Sequence, residues 1–167
     1  MVGLIGQENT TGTSHLIAWL LHLQGLQTGL ASAKGLFLGQ RCLQQQNGME
    51  WESAQRLLIN RSVQAAVFET TARHLLAEGL PYDRCQVGVI TSMPKAEGLQ
   101  DLYIHSDEQM PNVIRTQMDV VLPQGMAVLN AEDPEVANLA QFCDGEVTYF
   151  ASSEDHPLIA QHRSENG

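Results

Sequence analysis

Apolar and polar positions form two different patterns along this chain of 167 residues. Short runs rich in Val, Ile, Leu and Ala predict buried strands, and segments with apolar residues three and four apart predict helices. The predicted strands are residues 2–5, 28–31, 63–69, 86–91, 126–130 and 146–150, with a small hairpin at 36–43 that turns at Gly39. The predicted helices are residues 13–24, 50–59, 70–78, 106–121 and 133–142. Because strands and helices alternate, the expected fold is α/β, a mainly parallel sheet with helices on both faces.

Length, composition and charge narrow the class of protein. The length suits one domain over residues 1–150, and the polar composition of residues 151–167 predicts a tail or linker. Hydrophobic residues make up 43% of the chain and charged residues 17%, which is typical of a globular protein. The formal net charge of −10 argues against nucleic acid or an anionic membrane surface as a partner.

Targeting signals and cysteines indicate the compartment. No apolar stretch is long enough to span a bilayer, and no signal-peptide pattern opens the chain. The three cysteines, Cys42, Cys85 and Cys143, have no metal-binding spacing, and their odd number fits reduced thiols. These features predict a cytoplasmic protein whose cysteines are buried and inert.

A turn rich in glycine and threonine, residues 6–13, joins the first strand to the first helix. Nucleotide-binding proteins place their phosphate loop there: backbone N–H groups hold phosphate, and a lysine reaches the terminal phosphates. This turn contains no Lys or Arg, since the first cation is Lys34, and Glu8 adds a carboxylate that repels phosphate. Two interpretations remain, a lysine-free phosphate site and a tight turn retained for folding, and the missing cation favours the second.

The end of another predicted strand carries an acid, Glu69. The carboxyl ends of parallel strands meet at one sheet edge, so Glu69 should lie near the first turn, where a carboxylate can hold Mg²⁺ beside a nucleotide. The alternative is that Glu69 caps the helix beginning at Thr70 or Thr71, and without a lysine the cap is favoured. Six scattered histidines and the absence of a nucleophile motif give no independent support for catalysis.

Several blocks of sequence carry a family resemblance. They are LIA at residues 16–18, VFET at 67–70, EGLPYDRCQVGV at 78–89, DVVLP at 119–123 and AVLNAEDP at 127–134, extended by residues 147–150 and 156–159. At these separations they resemble the Mur-ligase-like central domain of cyanophycin synthetases, which are ATP-dependent peptide ligases related to the Mur ligases and folylpolyglutamate synthetase. The resemblance covers nearly the whole chain and implies the fold of the Mur-ligase central domain, which carries a phosphate loop.

The same resemblance identifies functional elements that this chain lacks. The loop of the family reads GTNGKTTT, so Thr10 stands where the phosphate-binding lysine is expected, and Asn9 replaces a glycine. The glycines that follow the Glu-Thr pair in the family are replaced within residues 71–74, and the metal-binding loop is replaced by residues 92–97. Ile114 stands at the position of a lysine that bridges magnesium in many Mur ligases.

Some functional positions of the family are retained. Glu69 corresponds to a residue that contacts magnesium and Asn130 to one near the adenine, and Asp133 is also kept. The resemblance therefore implies a vestigial nucleotide site with Glu69 as a vestigial metal ligand; the nucleotide-site residues are Gly6, Thr10, Thr11, Gly12, Thr13, Asn130 and Asp133. No catalytic residue and no bound cofactor are expected in this chain, although functional relatives use ATP and Mg²⁺.

The hypothesis favoured by these losses is a non-catalytic Mur-ligase-like domain of a cyanophycin-synthetase-type ligase, resembling the type that polymerises dipeptides. It would act as a scaffold or oligomer contact for an active ATP-grasp domain and for the N-terminal domain of the parent enzyme. Residues 151–167 would lead toward a C-terminal lobe, and a homo-oligomer is expected. One alternative is an active ATP- and Mg²⁺-dependent ligase domain that draws a cation from Lys34, Arg73 or a partner lobe. Another is a binding module for a cationic polymer such as cyanophycin, attracted by the charge of −10.

Overall fold

The computed structural model describes residues 1–46 and 48–165. Eight strands form one sheet: β1 Val2–Ile5, β2 Thr28–Ser32, β3 Gly35–Leu38, β4 Arg41–Gln45, β5 Ala65–Thr70, β6 Cys85–Ile90, β7 Val121–Asn130 and β8 Glu146–Phe150. Six α-helices accompany them: α1 Thr10–Leu23, α2 Trp51–Leu58, α3 Ala72–Glu78, α4 Met110–Asp119, α5 Pro134–Asn138 and α6 Pro157–Glu165. Short 3-10 turns lie at Gln100–Leu102, Asp107–Gln109 and Leu139–Phe142.

The strand order in the sheet is β4-β3-β2-β5-β1-β6-β7-β8. The β3–β4 pair is antiparallel, as expected for the predicted hairpin. The β2–β3 pair is antiparallel as well, and the other neighbours are parallel. The predicted α/β architecture is therefore confirmed. The first strand, β1, lies between β5 and β6, so its carboxyl end and theirs share the edge where α/β proteins place ligands.

Both faces of the sheet are covered by helices, but unequally. On one face α2, α3, α4 and α5 bury a large core; the helix residues include Leu57, Leu75, Ile114 and Val136, and the strand residues include Ile5, Phe68, Ile90 and Leu129. On the other face α1 packs Ala18 against Leu30 and Val67. The second cluster is small, so much of that face remains close to solvent.

Several elements differ from their predicted bounds. Helix α1 begins at Thr10 rather than at residue 13, because Asn9 at its N-cap takes a left-handed backbone conformation with φ 59° and closes the turn early. Strand β7 begins at Val121 rather than at residue 126, since a bulge opposite Cys85 and Val87 accommodates Pro123. Within the predicted polar tail, α6 forms and packs His162 against Tyr149 of β8, with ring centroids 5.4 Å apart.

Among the described residues, no helix has both the length and the apolar character needed to cross a membrane.

Candidate functional site

The turn between β1 and α1 brings the predicted loop residues to the carboxyl edge of the sheet. Gly6 is buried, and a side chain there would collide with Thr91 at the end of β6, so glycine is required by packing. Thr10, Thr11, Gly12 and Thr13 all lie in the first turn of α1 rather than in the loop before it. This position decides where the threonine hydroxyl groups point.

Glu69 is 3% exposed and lies in β5 directly beside this first turn. Its Oε1 atom accepts hydrogen bonds from Thr10 Oγ1 at 2.9 Å and from Thr11 Oγ1 at 2.6 Å. Its Oε2 atom accepts from the backbone N–H of Ala33 at 3.1 Å and, more weakly, from Ser14 Oγ at 3.4 Å. Both carboxylate oxygens are therefore satisfied by neutral donors of the chain itself. We call Thr10, Thr11, Ser14 and Ala33 the Glu69 cradle.

The cap alternative for Glu69 is wrong. Helix α3 is capped by Thr71, whose hydroxyl oxygen accepts from the N–H of His74 at 3.3 Å. Glu69 lies two residues before Thr71, inside strand β5, where a buried carboxylate needs several hydrogen-bond donors to offset its desolvation.

Hydrogen bonds connect the loop between β1 and α1 to residues 91–95, the segment after β6. The N–H of Gln7 donates to Ser92 Oγ at 2.9 Å, and Gln7 Oε1 accepts from the N–H of Lys95 at 3.4 Å. Thr91 Oγ1 donates to the carbonyl of Glu8 at 3.3 Å. Residues 91–95 thus hold the loop against the sheet edge.

The two other retained positions also serve local structure. Asn130 donates to the carbonyl of Thr91 at 2.9 Å and accepts from the N–H of Glu132 at 3.0 Å. Asp133 caps α5, accepting from the N–H groups of its first turn, and also accepts from the N–H of Met93 at 2.8 Å. Both side chains tie the end of β7 to the segment that holds the loop.

A cleft of about 710 Å³ opens beside the loop, on the α1 face of the sheet. Its apolar lining comes from strands β1, β6, β7 and β8 and from α1: Val2, Val87, Val89, Val128, Phe150 and Ile17. Polar groups of Glu8, Asn9, Thr13 and Asn130 lie around it, with Thr91 and Ser92. Of the predicted site residues, Thr13 and Asn130 line this cleft, whereas Glu69 and the others lie outside its lining.

Cations are scarce at this edge. The guanidinium group of Arg73 pairs with Asp101 at 2.8 Å, which raises the pKa of Arg73 and lowers that of Asp101. Lys34 is exposed and follows Ala33 of the Glu69 cradle.

Burial lowers the pKa of His15, and the charge of Lys34 adds to that effect. Within the described part of the chain, His, Cys, Asp and Glu side chains nowhere gather in groups that could hold a metal ion.

Several groups that form hydrogen bonds at the loop were not predicted from the sequence. Ser14, the N–H of Ala33 and the side chains of Thr91 and Ser92 contribute contacts at the loop that no motif suggests. Ser14 carried a usable signal, since a serine in the first helical turn after two threonines places three hydroxyl groups near one strand end. Ile114, where the resemblance implies a magnesium-bridging lysine, is fully buried in the large core.

The cysteine prediction is only partly right, and it leads to a labelling test. Cys85 is buried, and burial raises the pKa of its thiol to about 11, but Cys42 is exposed. We expect a thiol-specific reagent to modify Cys42 rapidly in the folded protein and Cys85 only after unfolding, because the thiolate is the reactive form. Cys42→Ser should remove the fast phase, whereas fast labelling of Cys85 would contradict the observed packing.

Comparisons with known proteins place this geometry in context. No protein-family model matches the chain. It is 33% identical to the cyanophycin synthetase of Synechocystis sp. over 168 residues, a match that spans 100% of this chain and 19% of the relative. It is 27% identical to the cyanophycin synthetase of Trichormus variabilis, over 100% of this chain and 18% of that protein. The UDP-N-acetylmuramyl-tripeptide synthetase of Deinococcus radiodurans is also 27% identical, over 96% of this chain and 33% of its own length.

Solved structures agree with the sequence relatives. The structure of UDP-N-acetylmuramoyl-L-alanyl-D-glutamate–2,6-diaminopimelate ligase matches 92% of this chain and 32% of its own chain, with a TM-score of 0.71 at 14% identity. A bifunctional folylpolyglutamate synthase/dihydrofolate synthase, solved with Mn, AMPPNP and L-glutamate bound, matches 89% of this chain and 42% of its own at a TM-score of 0.59 and 14% identity. The chain spans about a fifth of the length of the cyanophycin synthetases it matches. Together these findings identify it as a Mur-ligase-like domain, homologous to one segment of the cyanophycin synthetases.

Proposed function

We propose that this chain is a non-catalytic Mur-ligase-like domain that serves as a structural scaffold in a cyanophycin-synthetase-type ligase. The observation that carries this proposal is the direction of the Thr10 and Thr11 hydroxyl groups. Both donate to Glu69 at 2.9 and 2.6 Å. A hydroxyl group that donates its one proton to a buried carboxylate has no proton left to donate to a phosphate oxygen.

The residues present do not fit a magnesium nucleotide. A phosphate loop needs a cation, and Thr10 stands at the lysine position, so a charge-assisted contact is missing. Glu8 on the rim of the cleft places a negative charge where triphosphate charge would gather. Metal would have to displace the hydroxyl and amide donors that satisfy Glu69, and each displaced donor that stays buried would lose its partner.

The side chains of Glu69, Asn130 and Asp133 each form hydrogen bonds that stabilise the fold. Glu69 joins β5 to α1 and to the turn after β2, while Asn130 and Asp133 join the end of β7 to residues 91–93. Together these contacts connect the carboxyl ends of β2, β5, β6 and β7 and make this edge of the sheet rigid. A scaffold needs such rigidity whether or not a ligand is bound, which accounts for the survival of these three residues.

In the parent protein the domain would hold other domains, among them an active ATP-grasp domain, in a fixed arrangement. The cyanophycin synthetases it matches have about four fifths of their length outside the matched segment. The competing proposal, an active ligase domain, rests on Lys34, the exposed cation next to the Glu69 cradle. A cationic-polymer module would rest on the charge of −10 alone.

Nucleotide binding separates these possibilities. Isothermal titration of the purified chain with AMPPNP and Mg²⁺ at millimolar concentration should give no binding heat, and the melting temperature should not rise. The folylpolyglutamate synthase whose structure contains AMPPNP provides the positive control. Micromolar binding that Lys34→Ala weakens would overturn the proposal and establish the active alternative.

A further inference from the structure

A second, smaller recess lies on the other flank of α1 from the cleft. It has a volume of about 260 Å³ and is bounded by α1, by strands β2 and β3 and by the turn that follows β3. Buried residues form its floor, namely Ala18, Thr28 and Leu30, and the exposed Trp19 and Gln40 lie at its mouth. The rest of the lining is His15, His22, Phe37 and Gly39. We call this site the His22 recess; the described residues that line it are distinct from those of the cleft.

The imidazole of His22 carries an unsatisfied polar atom. Among the residues that the structure describes, nothing forms a hydrogen bond with Nδ1 of His22, although this atom is buried. Two other polar side chains of the recess are engaged: His15 Nε2 lies 3.1 Å from Ser32 Oγ, and Thr28 Oγ1 donates to the carbonyl of Leu26 at 3.1 Å. Buried polar atoms in folded proteins almost always have a partner. The His22 recess therefore offers one hydrogen bond to a ligand.

Gly39 leaves space for a ligand atom beside this nitrogen. Its backbone has φ 58°, and a Cβ built on it would lie 3.9 Å from His22 Nδ1 and 3.7 Å from His22 Cε1. A ligand oxygen about 1 Å closer to the ring than that Cβ would be at hydrogen-bond distance. A neutral imidazole with its proton on Nε2 accepts at Nδ1, so the ligand group that satisfies it is a donor such as a hydroxyl group.

The remaining lining selects a neutral aromatic ring. The described residues that line the recess include no Asp, Glu, Lys or Arg, so a charged ligand would be desolvated without a countercharge. Ring side chains of His15, Trp19 and Phe37 form its walls, and the rings of His15 and Phe37 meet edge to face with centroids 5.1 Å apart. Aromatic rings pack favourably in such arrangements. A volume of about 260 Å³ is enough for a substituted ring, since an apolar cavity of about 150 Å³ holds benzene.

We propose that the His22 recess is a binding site for a phenol group, whose hydroxyl donates to His22 Nδ1 while its ring packs against Trp19 and Phe37. A free phenol and a tyrosine side chain both offer this chemistry. The site goes beyond the proposed scaffold role and does not depend on it, because it uses neither the Glu69 cradle nor the cleft.

Titration of the chain with p-cresol and with toluene, followed by NMR, tests this site. The two probes share a ring and a methyl group, and only p-cresol has a hydroxyl group. His22→Phe keeps a ring at position 22 but removes the acceptor. The ratio of p-cresol affinity to toluene affinity should fall by about tenfold in this variant, because the hydroxyl group would be buried without a partner. His105→Phe is the matched control, since it makes the same change at an exposed histidine outside the recess and should leave the ratio unchanged.

A second measurement uses the wild-type chain and so does not depend on the folding of a variant. Addition of p-cresol should shift the nitrogen resonance of His22 Nδ1, the N–H resonance of Gly39 and the indole resonance of Trp19. Resonances of Thr13 and Phe150, which line the cleft, should not move. The same shifts with N-acetyltyrosinamide would identify a tyrosine side chain as an occupant, and shifts with p-cresol alone would confine the site to free phenols.

Two results would overturn the proposal. One is a His22 nitrogen resonance that p-cresol leaves unmoved, and the other is an affinity ratio that is the same in His22→Phe as in the wild type. Neither experiment involves a nucleotide, so failure of the phenol site and failure of the scaffold role are distinguishable.

Discussion

Replacing Glu69 by alanine is expected to lower the free energy of unfolding by about 3 kcal/mol, even though no ligand is present. Glu69 is almost fully buried, and it accepts two short hydrogen bonds from Thr10 and Thr11 and one from the N–H of Ala33. Hydrogen bonds to a charged group contribute more than neutral ones, and the substitution leaves buried donors without a partner. A residue kept only to hold magnesium would have the opposite effect, because removing an unpaired buried carboxylate stabilises a fold.

Urea-induced unfolding measures this change, and Glu8→Ala is the matched control. Glu8 is an exposed acid of the same loop with only its backbone carbonyl engaged by Thr91, so its removal should leave the midpoint nearly unchanged. A double-mutant cycle of Glu69→Ala with Thr11→Val should give a coupling of about 1 kcal/mol or more, since the two side chains are in direct contact. If Glu69→Ala is as stable as the wild type, the Glu69 cradle does not stabilise the fold and the scaffold argument fails.

A lysine at position 114, as the resemblance implies for the family, should lower the free energy of unfolding more than Glu69→Ala does. We expect Ile114→Lys to destabilise the fold by about 5 kcal/mol near neutral pH, because Ile114 is fully buried among the residues of the large core. A lysine there must either lose its proton or remain charged in an apolar environment. The resemblance implies a magnesium-bridging lysine at this position, and in this chain the position is part of the large core.

The effect of this substitution should depend on pH in a defined direction. Burial lowers the pKa of the lysine in the folded state, so the unfolded chain binds the proton more tightly. The loss of stability should therefore shrink as the pH rises toward about 10, the ordinary pKa of lysine. Ile114→Met, which nearly conserves volume, is the control and should cost about 1 kcal/mol at every pH. An Ile114→Lys variant as stable as the Met variant would mean that this position opens to solvent.

The fold could be predicted because its signals are local. Apolar runs such as residues 2–5 and 146–150 became strands with the expected bounds, and the hairpin turned at Gly39 as expected. Two predicted bounds are wrong because a residue adopts a conformation or position that is uncommon for its type. Asn9 adopted the left-handed conformation that glycine favours, and Pro123 was accommodated by a bulge inside a strand.

The site could be placed from the sequence but not interpreted in detail. The order of strands and loops is enough to bring Glu69, Asn130 and the first turn to one edge. The direction of the Thr10 and Thr11 hydroxyl groups follows from a three-residue shift in the start of α1, which is smaller than the precision of a sequence pattern. Burial of Ile114 likewise required the packing of α4 to be known.

The Glu69 cradle also has a consequence for how this domain behaves in changing surroundings. A protein that binds a nucleotide only in its folded state has a folded population that rises with the nucleotide concentration. Here hydroxyl and amide groups already occupy Glu69 from within the chain. If the chain binds no nucleotide, as proposed, its folded population should be the same at low and at high nucleotide concentration.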